Sequence, residues 1–177
     1  LYDNSTLSNL NGLQNFNTIK TLSLNSNAML SNISSLANLS VIDNLYIYGN
    51  NALTTLNGLG NIHTLNTLNI EHNAVLSNLS GIQNITSVGS LSIASPIWTN
   101  LTSFQNMTVN KSLTVHASPL LSNLNGLSNI SALGWLSIYS NDGLTSLSGL
   151  NNLVALDTLS ISYNPVLTNI GVLQQIN

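Results

Sequence analysis

The chain has 177 residues, 43% hydrophobic and only 4% charged, with a formal net charge of −3 and no cysteine. Its two cations, Lys20 and Lys111, cannot neutralise a phosphate backbone or hold an anionic bilayer, so nucleic acid and charged lipid are excluded as partners. Without cysteine no disulfide frame, thiolate nucleophile or cysteine-based zinc site is possible, and no apolar run approaches the ~18 residues of a membrane-spanning helix.

The hydrophobic content is that of a packed domain, not a disordered tract. The polar surface must come from neutral groups: 31 Asn, 26 Ser and 15 Thr. Such a surface is wet but repels its own copies weakly. Glycans keep it soluble, or it is suited to association.

Seven strands are predicted in chain order, at 21–25, 44–48, 67–71, 90–94, 112–116, 135–139 and 158–162. Each alternates apolar and polar residues, the period-2 pattern of a half-buried strand. Their first apolar residues are Leu22, Leu45, Leu68, Leu91, Leu113, Leu136 and Leu159, spaced by 23 residues except for one step of 22. The missing residue falls within Ala94–Trp98. Between strands the apolar period becomes three, as in Leu30, Ile33, Leu36, Leu39 and Ile42. A helix of 3.6 residues per turn would scatter these around its surface, whereas an extended or 3₁₀-like segment turns every third side chain inward. The expectation is an all-β repeat with one parallel sheet, about seven coils of 23 residues and almost no α-helix, spanning 1–177 as one domain.

Asparagine recurs just after the strand, at Asn4, Asn27, Asn50, Asn73, Asn141 and Asn164, with Pro96 and Ser118 in that column in the two odd coils. Its side chain carries two donors and a carbonyl, so stacked copies can form a ladder joining the turns of neighbouring coils.

The motif Ile19-x-x-Leu22-x-Leu24-x-x-Asn27 resembles the core of a leucine-rich repeat, and it recurs along nearly the whole chain. The return segment Leu53-x-x-Leu56-x-Gly58-Leu59-x-Asn61-Ile62 is most similar to the receptor L-domain variety, without the cysteines that often cap such arrays. The resemblance implies a curved right-handed solenoid with a concave binding face. It implies no chemistry, metal or cofactor.

Chemistry-bearing groups are few. Glu71 and His72 adjoin at a strand end and should point apart. Glu71 and His116 share a column two coils apart, roughly 10 Å at ~4.8 Å per coil, too far for a direct bond. Solvated surface is the expected role of all three, with no catalytic, cofactor or metal site. No Gly-x-Ser-x-Gly elbow accompanies the serines. Gly58, Gly81, Gly126 and Gly149 repeat in one column, as turn geometry requires.

On the outward strand face four aromatics stand out as candidates for binding a carbohydrate or peptide: Tyr46, Tyr48, Trp135 and Tyr139. Nine Asn-x-Ser/Thr acceptors occur, against about seven expected by chance for this composition. Asn4 lies in the ladder and is expected to be buried. Asn32, Asn78 and Asn100 share one return-segment column; Asn38, Asn84, Asn106 and Asn129 share another; Asn110 stands apart. Asn9 and Asn123, which are not acceptors, sit in the first column and Asn15, Asn61 and Asn152 in the second, so an internal hydrogen-bonding role competes with glycosylation in both.

Neither end carries a polar capping coil. Leu1 falls at the Ile161 position and Asn177 at the Asn17 position, in the same coil phase. Leu7, Leu10, Leu13 and Phe16 at one end, and Leu167, Ile170, Leu173 and Ile176 at the other, should face an open core. The expected function is a non-catalytic extracellular or cell-surface scaffold, structural or adhesive. Its ends would meet another copy head to tail, or neighbouring repeats of a longer chain. The alternative is a ligand-binding ectodomain module that uses its strand face.

Overall fold

The computed structural model describes residues 1–176. Alternating side chains put one face of every strand inward, and seven strands lie parallel in one sheet in sequence order. They are β1 (Thr18–Asn25), β2 (Val41–Tyr48), β3 (Thr64–Glu71), β4 (Ser87–Ala94), β5 (Thr108–His116), β6 (Ala132–Tyr139) and β7 (Ala155–Ser162). Each coil lays its strand beside the last in unbroken register, pairing Leu22 with Leu45, Leu68 with Leu91 and Leu113 with Leu136. The molecule is a parallel β-solenoid.

Strands end where the alternation predicts but begin three or four residues earlier. Pairs such as Ile19 with Ile42 and Leu65 with Val88 extend the ladder into residues that the three-residue period assigned to the return segment. In β5 the register steps from Val88–Val109 to Ser90–Ser112, so Asn110 and Lys111 together oppose Gly89 in a bulge.

The return segments close by bonds spanning three residues, as from Leu36 N–H to the Ile33 carbonyl (3.0 Å) and from Leu39 N–H to the Leu36 carbonyl (2.8 Å). Four contain short 3₁₀ turns, at Ser34–Leu36, Ser80–Ile82, Thr102–Phe104 and Gly171–Gln175; there is no α-helix among the described residues. Three residues per turn brings Leu30, Ile33, Leu36 and Leu39 to the same side, and all four are buried. Trp98 takes the place of Leu76 one coil on, is buried, and donates its indole N–H to the Leu76 carbonyl at 2.7 Å.

The inward leucine column is buried from Leu22 to Leu136, but Leu159 is 46% exposed. No described strand covers the far side of β7. Ile170 at that end and Phe16 at the other are also exposed, while Leu167 and Leu173 are half-buried. Leu10, expected at an open face, is buried by its own coil and the next. Asn177 lies outside the described residues.

The asparagine ladder forms. The backbone N–H of Asn4, Asn27, Asn50 and Asn141 donates to the side-chain oxygen of Asn27, Asn50, Asn73 and Asn164 respectively, at 2.9–3.2 Å. The Asn50, Asn73, Asn141 and Asn164 amides donate back to Leu24, Ile47, Val115 and Ile138 carbonyls of the preceding coil. Asn27, Asn50, Asn73 and Asn141 are buried. Two expectations need correction. Asn4 is exposed, at the edge of the described coils. The fourth coil fills the column with Ser95, not Pro96: Ser95 N–H donates to Ser118 Oγ (3.0 Å), and Ser118 N–H continues to Asn141 (3.1 Å).

The glycine column has two causes. Gly149 has φ +110°, a turn conformation closed to other residues. Gly81 has no such constraint, but a Cβ there would lie 1.8 Å from the Leu56 carbonyl oxygen. Gly81→Ala is therefore expected to push two coils apart and lower stability by about 1–3 kcal/mol. Gly60→Ala, with nothing within 4 Å of its Cβ position, should be neutral or slightly stabilising. Urea denaturation of the two variants checks the contrast.

Candidate functional site

In most coils one residue in the left-handed region follows the strand and turns the chain into the return segment. It is Asp3, Ser26, Gly49, His72, Ala117, Ser140 or Tyr163, with φ between 44° and 66°. The fourth coil lacks it: Ala94 ends β4 and Ser95 follows directly in the ladder. The single deletion therefore removes one side chain from the edge of the outer face, and the neighbouring Ala94 offers only a methyl group.

Three groups converge over this gap. His116 Nε2 lies 3.3 Å from Glu71 Oε1 although one strand separates them, and ligand atoms of Glu71, His72 and His116 all lie within 4.8 Å of one another. This overturns the expectation that Glu71 and His116 are too far apart. Backbone spacing set that estimate, but two long side chains lean toward each other across Ala94, which is left 1% exposed. The expectation that Glu71 and His72 point apart also fails, because the left-handed backbone of His72 breaks the strand alternation.

Glu71 is firmly held. Its Oε1 accepts bonds from Asn69 Nδ2 (2.8 Å) and Ser92 Oγ (2.5 Å) as well as facing His116. Burial raises the carboxyl pKa, but the hydrogen bonds from His116 and Ser92, with the charges of His116 and His72, outweigh it and leave the group below its ordinary value. Asn69 Oδ1 is buried and takes no partner among the described residues.

Rings extend the cluster into a ribbon across five strands. Tyr48 meets His72 edge-on at 5.2 Å, His72 meets His116 at 5.7 Å, and His116 stacks on Tyr139 at 4.7 Å with 14° between planes. Two of the four aromatic candidates, Tyr48 and Tyr139, thus share a site with His72 and His116. Tyr46 is half-buried on β2 and Trp135 is exposed on β6; neither joins the ribbon.

The acceptor asparagines divide by geometry. Asn38, Asn84 and Asn129 donate their amides to the Gln14, Gly60 and Gln105 carbonyls of the preceding coil at 2.7–2.8 Å. Asn61 and Asn152, which are not acceptors, make the same bond. This column is a second internal ladder. In Asn32, Asn78 and Asn100 the carbonyl oxygen instead accepts the N–H two residues on, and the side chains are exposed. Asn106 and Asn110 are exposed as well.

A groove beside the β5 bulge is lined by Asp43, Asn66, Asn110 and Lys111 among others. No helix among the described residues is long and apolar enough to cross a membrane. Fold and face together define a β-solenoid of repeated coils whose outer sheet bears, at the strand ends, a cluster of titratable and aromatic groups. No protein-family profile matches the chain, and no curated protein matches it.

Proposed function

We propose that this chain is a non-catalytic solenoid of the leucine-rich-repeat type, an extracellular or cell-surface scaffold with a structural or adhesive role. The repeated Ile19-x-x-Leu22-x-Leu24-x-x-Asn27 pattern supports the repeat type. The observation that carries the role is where the polar groups go. Two asparagine columns stitch most coils to their neighbours, and the water-facing surface is amide and hydroxyl with few charges. That suits a stiff, weakly self-repelling element better than a soluble catalyst.

Half-exposed Leu159 and Ile170 at one end and Phe16 at the other favour continuation of the sheet by another copy or by neighbouring repeats. Each Å² of apolar surface so covered contributes about 25 cal/mol. Sedimentation of the purified chain tests this. Concentration-dependent end-to-end species are expected, and Leu173→Asp with Ile176→Asp should abolish them while leaving inner coils folded. A parent that stays monomeric at high concentration, unchanged by the double substitution, overturns the end-to-end reading.

Glycans would supply the solubility that charge does not. Passage through a eukaryotic secretory route is expected to give highest occupancy at Asn32, Asn78 and Asn100, whose amides make no bond to a neighbouring coil. Asn38, Asn84 and Asn129, whose amides serve the inner ladder, should carry less. Peptide mass mapping before and after glycosidase treatment reads this directly; the opposite order would mean that the ladder bonds do not restrain those amides.

The Tyr48–His72–His116–Tyr139 ribbon favours a second reading, a module binding a carbohydrate or peptide on its strand face. Loss of ligand capture in Tyr48→Ala, with coils intact, would support it.

A further inference from the structure

We propose that Glu71, His72 and His116 form a binding site for a single divalent transition-metal ion, with Zn²⁺ the best match. The site goes beyond the scaffold reading and depends on nothing in it except the fold.

The donor set is two imidazoles and one carboxylate. These nitrogen and oxygen ligands suit Zn²⁺ with a fourth position left for water or an incoming group, and suit Mg²⁺ or Ca²⁺ poorly. The distances fit. Bonds of about 2.0–2.1 Å at tetrahedral angles place two donors about 3.3 Å apart, and His116 Nε2 and Glu71 Oε1 are separated by 3.3 Å. All three donors lie within 4.8 Å of one another. His72 is exposed, so a rotamer change brings its ring nitrogen in without disturbing the core.

The supports are those a ligand shell needs. Metal-binding residues are oriented by outer partners that hold ring and carboxylate in place. Stacking on Tyr139 fixes the His116 ring. Asn69 and Ser92 hold the Glu71 carboxylate in place through Oε1, the oxygen that faces His116. An ion pair between Glu71 and His116 would account for two of the three groups but not for His72. That residue sits in the left-handed region at φ 55° with its ring turned toward His116, at the one place where the next coil has no residue to obstruct it.

The test is calorimetric titration of chelator-treated protein with ZnCl₂, beside CoCl₂ titration followed by the visible absorption of a four-coordinate cobalt centre. One equivalent of Zn²⁺ is expected to bind, to raise the melting temperature, and to ignore excess Mg²⁺ and Ca²⁺. His72→Ala removes an exposed side chain, so folding is not at stake. It should weaken binding at least about 100-fold, beyond the 10–100-fold typical of losing an outer-shell partner. His116→Gln should do the same, and His63→Ala, far from the cluster, should leave it unchanged. No binding by the parent, or binding that survives His72→Ala, overturns the proposal.

Discussion

Asn50→Ala is expected to be the most damaging single substitution, lowering the unfolding free energy by about 3–6 kcal/mol. The Asn50 side chain is fully buried and serves three coils, reaching the third through its amide bond to Asn73 Oδ1 at 3.3 Å. Its amide donates to the Leu24 carbonyl at 2.6 Å and the Tyr48 carbonyl at 3.2 Å. Its oxygen accepts the Asn27 N–H at 3.2 Å. Alanine removes all of these; the Tyr48 carbonyl keeps the Ser26 N–H, but the buried Asn27 N–H loses its side-chain acceptor and the Leu24 carbonyl its amide donor, each loss costing about 1–3 kcal/mol where water cannot replace the partner. Asn50→Ser should recover part of the loss, because a serine oxygen already accepts the equivalent bond at Ser118. Asn4→Ala, in the same column but exposed, should cost under about 1 kcal/mol. Urea denaturation of the three variants gives the order; a parent-like Asn50→Ala would mean that the ladder does not hold the coils.

Leu68→Ala should follow, at about 2–5 kcal/mol. Leu68 has no exposed surface and sits in register between Leu45 and Leu91, so truncation opens a hole that rigid coils on both sides cannot close. Leu159→Ala is the control. It occupies the same column but is already 46% exposed, and the cost there should be well below that at Leu68. Equal destabilisation at the two positions would contradict the burial gradient.

The repeating parts of this molecule were readable because they follow from periodicity. Strand ends, the inward leucines and the ladder recur every 23 residues, and each needs only local alternation plus stacking. Strand starts were not readable, because Ile19 and its equivalents satisfy the period-2 and period-3 patterns at once. The bulge at Asn110–Lys111 gave no pattern signal.

The histidine–glutamate cluster was missed for a different reason. It exists where the repeat is broken, and column spacing alone neglects both side-chain reach and the left-handed turn at His72. Its signal was present in the sequence: a deletion beside Ala94, flanked by Glu71-His72 on one side and His116 on the other.

That break also changes how the array behaves as a one-dimensional system. Elsewhere, coupling passes only between adjacent coils, so each unit can melt at the cost of its two interfaces. At the fourth coil the ladder is thinner: among the described residues the Asn73 N–H finds no side-chain acceptor there, and serine replaces asparagine. Yet the contact between Glu71 and His116 joins the third coil to the fifth directly. This is a second-neighbour coupling laid across the junction where the asparagine ladder is interrupted. The third and fifth coils are therefore tied to one another as well as to the fourth, so the break in the repeat does not leave the two halves of the array joined through one coil alone.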